Sequence, residues 1–173
     1  MLHNTKKFPV TILRFFQVYG PKQDENRFLP QIIKGCLSNK KFLASHGNQV
    51  RDFVNIHDVV DANLLVLEDE RADYEMFNVG GGAPVTVNQF ASACAKIYDV
   101  KNYQPKPSGK YRFGDIRHNY ADLSKIENAL GFSPKFNFKA GITKFVKWVQ
   151  TQDVEQDKYD SSIEELKQKG LIK

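Results

Sequence analysis

The chain is poor in the residues that would mark several protein classes. Only two of its 173 residues are cysteine, Cys36 and Cys94. Each sits inside an apolar, helix-like run, which fits two buried thiols in a reducing compartment rather than a disulfide framework. Among the four histidines (His3, His46, His57, His118) no pair has metal-ligand spacing, so no metal is expected. No apolar run approaches the ~20 residues needed to cross a bilayer. The opening MLHNTKKFPV carries no apolar signal stretch. These gaps make a cytoplasmic protein without a membrane partner the expectation. Internal repeats and low-complexity tracts are also missing.

Charge of one sign is in slight excess, with 25 Lys+Arg against 20 Asp+Glu and a net charge of +5. The basic residues are scattered. The densest group (Lys106, Lys110, Arg112, Arg117, His118) is interrupted by Pro107, Gly109 and Gly114. Without a basic helix, zinc-ligand spacing or an RNP-type aromatic motif, a nucleic-acid partner is not expected. A few arginines on a loop suit a small polyanion.

What is present is a globular composition, 41% hydrophobic and 26% charged. Residues 10–19, VTILRFFQVY, are nearly all apolar, which predicts a strand buried on both faces. FLPQIIKGCL (28–37) predicts a helix with Pro30 in its first turn. Residues 42–44 and 51–56 read as short strands, and 57–70 as a helix with Asp58 as N-cap. MFNVGGG (76–82) predicts a second buried strand entering a glycine loop. Thr86 and Gln89 form a T-x-x-Q capping box ahead of a helix with Val87, Phe90, Cys94 and Ile97 on one face. A Pro/Gly-rich loop spans 101–119. Asp122 is placed as the cap of a helix ending before Gly131, a natural C′ residue. Another helix covers 139–150, followed by a polar linker and a last helix from Ser161–Ser162 to Gly170.

This order predicts an α/β fold, but it raises a difficulty. Two doubly buried strands do not make a covered parallel sheet, which usually has about four to six. The chain therefore reads as part of a larger fold, with an edge strand that offers unpaired backbone groups to a partner.

Several stretches in order, LRFFQVYGPKQ, FLPQIIKG, HGNQVRDFVNIHDVVDAN, FNVGGGAPVTV and RFGDIRHNYADLSKIENALGFSP, resemble the C-terminal half of NAD-dependent nucleotide-sugar epimerases and dehydratases. These belong to the extended short-chain dehydrogenase/reductase family. The resemblance implies an incomplete Rossmann-like parallel sheet portion plus the small α/β substrate-binding domain. It places this part at 1–152, with a polar linker and C-terminal helix at 153–173. It further implies a nucleotide-diphosphate sugar as ligand, NAD as cofactor of the intact family, and either a separate Rossmann half or a homo-oligomer as partner.

Two family features are missing from the 173 residues. The glycine-rich turn that lets a backbone approach a pyrophosphate has no counterpart. Nor is any of the seven tyrosines followed four residues later by lysine, the pairing with which the family moves the proton of a sugar hydroxyl. No catalytic residue is therefore assigned. The expectation is a truncated form that retains substrate-binding elements and is inactive alone. The alternative is a non-catalytic binding module, or a half that pairs with a separate Rossmann half.

The resemblance assigns substrate contacts residue by residue. Arg51 matches the family arginine that contacts the nucleotide end of the substrate, Arg112 matches a second arginine that closes on the diphosphate, and Arg117 is a further candidate, since a guanidinium fork suits phosphate oxygens. The competing reading pairs Arg51 with Asp52, or Arg117 with Asp115, as ion pairs. His46 stands where relatives place an aromatic against the pyrimidine, and Ala44 would offer backbone groups to the base. Gln17 replaces the usual asparagine and reaches one methylene further. Arg27 and Phe28 match a loop over the phosphates. Phe16 matches a position at the nicotinamide end of NAD, the one cofactor contact implied. For Phe16 and Phe28, core packing is the competing role.

Overall fold

The computed structural model describes residues 8–24, 28–38, 46–111, 113–151, 164–165 and 167–171. The expected strand at 10–19 divides at Phe16 into β1 (Ile12–Phe15) and β2 (Gln17–Tyr19). Helix α1 (Phe28–Ser38) follows, then β3 (Val50–Asn55) running directly into α2 (Ile56–Glu68). A short 3-10 turn at Glu70–Ala72 leads to β4 (Met76–Val79). Next come β5 (Pro84–Thr86), α3 (Val87–Ile97) and the two-residue β6 (His118–Asn119). Helices α4 (Ser124–Leu130) and α5 (Phe138–Gln150) follow. The expected strand at 42–44 and the linker beyond Thr151 lie outside the described residues.

The fold is mixed α/β with parallel pairing dominant. β1 pairs parallel with β4 in register Ile12 to Met76. β3 pairs parallel with β2 and β6 and antiparallel with β5. β5 and β6 escape a sequence reading because three- and two-residue strands carry no periodicity.

β3 divides two hydrophobic clusters, because adjacent strand residues face opposite sides. Phe53 packs with Tyr19, Leu29, Ile32, Phe90, Phe145 and others beneath α1, α3 and α5. Val54 packs with Val59, Phe77, Val79, Ile126 and Leu130 beneath α2 and α4. β3 is thus the strand buried on both faces. β1 is not, which corrects the expectation for 10–19: Ile12 is 48% exposed and Phe15 43%, and Met76 opposite Ile12 is 40% exposed. The reason is that β1 and β4 form a two-stranded sheet, and among the described residues no strand pairs with the other edge of β1. On α2, Val60, Leu64 and Leu67 form a further exposed apolar stripe at helical spacing.

The helix caps show local chemistry at work. The Thr86–Gln89 capping box is complete: the Gln89 N–H donates to the Thr86 hydroxyl at 3.1 Å, and the Thr86 N–H donates to Gln89 Oε1 at 2.8 Å. Gly131 takes the left-handed conformation, φ 70°, that closes α4. The cap of α2 is Asn55, whose Oδ1 accepts the His57 N–H at 3.0 Å. It is not Asp58, which is buried and accepts the backbone N–H groups of Lys135 at 2.8 Å and Phe136 at 3.3 Å. Asp122 accepts from the Ser124 N–H and hydroxyl, one residue outside the formal cap at Leu123.

Both cysteines are buried and unpaired. The Cys36 thiol donates to the Ala91 carbonyl at 3.5 Å and lies 3.2 Å from the Tyr103 hydroxyl. Burial pushes both thiols above the usual cysteine range.

Two predictions follow from this packing. A Cβ at Gly81 would meet the Phe53 carbonyl oxygen at 2.2 Å, whereas one at Gly131 meets nothing within 4 Å and bears only the left-handed backbone cost. Gly131→Ala should therefore lower unfolding free energy by about 1–2 kcal/mol, and Gly81→Ala by more, in urea melts. Separately, burial pushes the Tyr19 and Tyr98 phenols up to about 12. Their folded values exceed the unfolded value of about 10, so the contribution of their neutral forms is whole below pH 10. It should drain away as pH rises toward 12, seen as falling stability in chemical denaturation across that window.

Candidate functional site

A cleft of about 550 Å³ is lined by His46, Asn48, Gln49, Gly109, Tyr111, Asp115, Ile116, Arg117 and His118. Two segments build it. The first leads into β3, and the second is the Gly-rich loop that ends in β6. They are brought together by the parallel pairing of Val50 with His118 and Arg51 with Asn119.

Arg51 ties the two segments together with its side chain. Nη1 donates to the carbonyls of Val50 at 2.9 Å and Arg117 at 3.1 Å. Nη2 donates to both carboxylate oxygens of Asp115, each at 3.3 Å. The Arg51 side chain is 12% exposed against 49% for Asp115. Two carbonyls therefore fix the plane of the guanidinium, and its remaining edge holds the carboxylate. A charge-assisted bond of full strength is about 2.7–2.9 Å long. The pair with Asp115 is longer, and its anion is half open to water. An arriving anion with two oxygens can exchange for that carboxylate without disturbing the carbonyl contacts.

Neither ion pair weighed from sequence forms. Asp115 pairs with Arg51 rather than Arg117, and Asp52 turns inward. Asp52 is 1% exposed, and its two oxygens accept the N–H groups of Gly81 at 2.6 Å and Ala121 at 3.1 Å.

The remaining sequence candidates are distributed as follows. His46 and Arg117 line the cleft with Asp115, the partner of Arg51. Phe16 and Gln17 line a different cavity of about 540 Å³, with Tyr19, Lys22, Gln23, Asp24 and Ile56. Arg27, Ala44 and Arg112 lie outside the described residues. Phe28 begins α1, and its side chain is not among those described. The sequence does not single out Asn48, Gln49, Tyr111 or Ile116 for this cleft, and His118 stands out in it only as a member of the densest basic group. Only the pairing of β6 with β3 brings His118 to the cleft, and a two-residue strand leaves no sequence signal.

The glycine loop at 80–82 packs against the protein itself. A Cβ on Gly80 would meet Asp52 Oδ2 at 2.3 Å, and one on Gly81 the Phe53 carbonyl. These glycines admit the chain's own backbone and a carboxylate, not a ligand. Among the described residues no group of His, Cys, Asp or Glu could hold a metal ion. No helix among them is long and apolar enough to cross a membrane.

Fold and cleft together define a partial α/β fold of Rossmann-like type, whose cleft gathers Arg117, His46 and His118 beside Arg51 where β6 pairs with β3. Comparison with known proteins makes this specific. Residues 2–80 match the NAD dependent epimerase/dehydratase family. The chain is similar to dTDP-L-rhamnose 4-epimerase of Burkholderia thailandensis, 32% identical over 148 residues, covering 83% of this chain and 40% of the relative. It is likewise similar to CDP-abequose synthase of Salmonella typhimurium, 35% identical over 145 residues, covering 78% and 46%. Among solved structures, UDP-glucose 4-epimerase of Thermotoga maritima with UDP-glucose superimposes with a TM-score of 0.75. That match has 31% identity and covers 86% of this chain and 48% of the other. The family model, these relatives and this solved structure are all of the NAD-dependent epimerase/dehydratase class, and the chain resembles part of each. It spans less than half the length of these relatives.

Because the Asp115 carboxylate is half open to water and its bonds to Arg51 are long, the pair should contribute little to folding, about 0–1 kcal/mol. Asp115→Ala should move the urea midpoint only slightly, by no more than about 1 kcal/mol of unfolding free energy. A larger loss would mean that Asp115 carries the loop structurally.

Proposed function

We propose that this chain is the sugar-nucleotide-binding part of an NAD-dependent epimerase or dehydratase, and that it grips the diphosphate of a UDP- or dTDP-sugar in the cleft beside Arg51. The observation that carries this reading is the Arg51 guanidinium, oriented by two carbonyls and presenting its free edge to a loosely held carboxylate. Phosphate oxygens match that edge in spacing and charge. Arg117 and His118 supply further donors on the same wall, and His46 a flat ring for a base. Arg112, Ala44, Arg27 and Phe28 are proposed to complete the grip from the matching family positions, with Gln17 toward the sugar. Relatives with printed ligands are in keeping with this: the Thermotoga enzyme holds UDP-glucose, and a UDP-glucuronic acid 4-epimerase of Bacillus cereus holds UDP-glucuronic acid and NAD.

The redox part of the reaction is assigned elsewhere. These residues include neither a glycine-rich dinucleotide turn nor a Tyr-x-x-x-Lys pair, and the one triple-glycine loop is filled by Asp52 and Phe53. Phe16 is the single position proposed to touch the nicotinamide end of NAD. Activity therefore requires further polypeptide, in the same protein or as a separate Rossmann half. The exposed apolar side chains of the β1–β4 pair, Ile12 and Phe15 on β1 and Met76 on β4, together with the open edge of β1 among the described residues, support a fold completed by such a piece.

Calorimetric titration with UDP and dTDP tests the grip. Binding should be measurable, and Arg51→Ala should weaken it about 10- to 100-fold, the equivalent of a charge-assisted bond of ~1.5–3 kcal/mol. Epimerisation of a UDP- or dTDP-sugar by the chain alone with NAD would contradict the assignment of the chemistry to other residues. Equal affinity in Arg51→Ala would contradict the grip.

A further inference from the structure

Among the described residues two carboxylates are buried, and their surroundings are alike in kind. Asp52 and Asp58 are each 1% exposed. Each accepts two backbone N–H groups from segments distant in sequence: Asp52 from Gly81 and Ala121, Asp58 from Lys135 and Phe136. They differ in what they hold. Asp58 pins the approach to α5. Asp52 sits next to Arg51 on β3 and pins Ala121, two residues beyond β6, at the end of the loop that carries Asp115, Ile116, Arg117 and His118 into the cleft.

We propose that Asp52 is a positioning residue for nucleotide binding: by clamping Ala121 and Gly81 to β3, it sets the distance between Arg51 and the Arg117–His118 wall. This deepens the reading of the cleft as a diphosphate site and rests on it. The β6 strand has only two residues, so its pairing with β3 supplies few hydrogen bonds to hold a long loop. The carboxylate adds a charge-assisted bond at that point. The packing leaves it no slack. A Cβ on Gly80 would lie 2.3 Å from Asp52 Oδ2 and 2.7 Å from the Ala121 Cβ, so the three segments meet in van der Waals contact. An amide in place of the carboxylate would turn an NH2 toward one of the two backbone N–H groups and release that segment. If Ala121 is freed, the wall drifts from Arg51, and a diphosphate spanning both loses one side of its grip. The fold itself has other ties here, such as Asn78 Nδ2 donating to the Asp122 carbonyl at 3.1 Å.

The matched carboxylate makes the test selective. Asp52→Asn and Asp58→Asn should both lower unfolding free energy, since each leaves a buried N–H unsatisfied. Only Asp52→Asn should weaken UDP, by roughly tenfold in calorimetry well below the unfolding temperature, the loss of one hydrogen bond to a charged group. Native-state amide exchange across 113–121 should speed up in Asp52→Asn and stay at the wild-type rate in Asp58→Asn. If Asp52→Asn fails to fold, Asp52→Glu, which keeps both acceptors but moves them by one methylene, is read in the same two assays with the same expected direction. UDP affinity and exchange that are unchanged by the Asp52 variants, or changed equally by the Asp58 variant, would overturn the proposal. Absence of UDP binding in the wild-type chain would instead refute the diphosphate reading, and the exchange comparison would then decide the positioning claim by itself.

Discussion

The Asp52 carboxylate is the point at which three parts of this chain become one structure. It reaches from β3 to the glycine loop after β4 and to the segment after β6, and it satisfies a backbone N–H in each. A buried carboxylate without such partners would be costly. With them, it converts a two-residue strand and a glycine loop into fixed walls. The close approach also explains the sequence Gly80-Gly81: any side chain there would collide with Asp52, Ala121 or the Phe53 carbonyl. Arg51, one residue away, can then act as an oriented cation, because both sides of its strand are held.

Around this junction the hydrophobic effect does most of the work. Phe53 and Val54 face opposite clusters, so β3 draws helices to both of its sides. The β1–β4 pair stands apart from that arrangement, with apolar side chains open to water along one strand edge. A strand edge of this kind favours pairing with other polypeptide. That property and the match to less than half of each relative's length fit the proposed division of labour, in which these residues would hold the substrate and further polypeptide the cofactor.

Much of the fold was legible in the residues because local chemistry determined it. The Thr86–Gln89 capping box, the left-handed Gly131 and the helices at 28–38 and 138–150 follow from spacing and side-chain type. The two-sided burial expected of 10–19 fails for β1 because continuous apolar sequence records what a strand is suited to touch, and within this chain the touching partner is not among the described residues. Asp58 was misplaced as a helix cap for a similar reason: its partners, the N–H groups of Lys135 and Phe136, lie far along the chain. The site was legible in part. His46 and Arg117 stood out by type and resemblance and do line the cleft, with Arg51 bound to it through Asp115. Asn48, Gln49 and His118 did not stand out, because they become neighbours only through the pairing of β3 with β6. Phe16 and Gln17 fall on a separate cavity.

The central claim is that a nucleotide diphosphate lodges between Arg51 and the Arg117–His118 wall. Backbone amide shifts recorded by NMR while UDP is added to the full chain address it most directly. The account predicts perturbations concentrated at 46–51 and 109–118, with the β1 edge and α5 unmoved. Perturbations confined to the β1–β4 edge, or spread without preference across the surface, would contradict it.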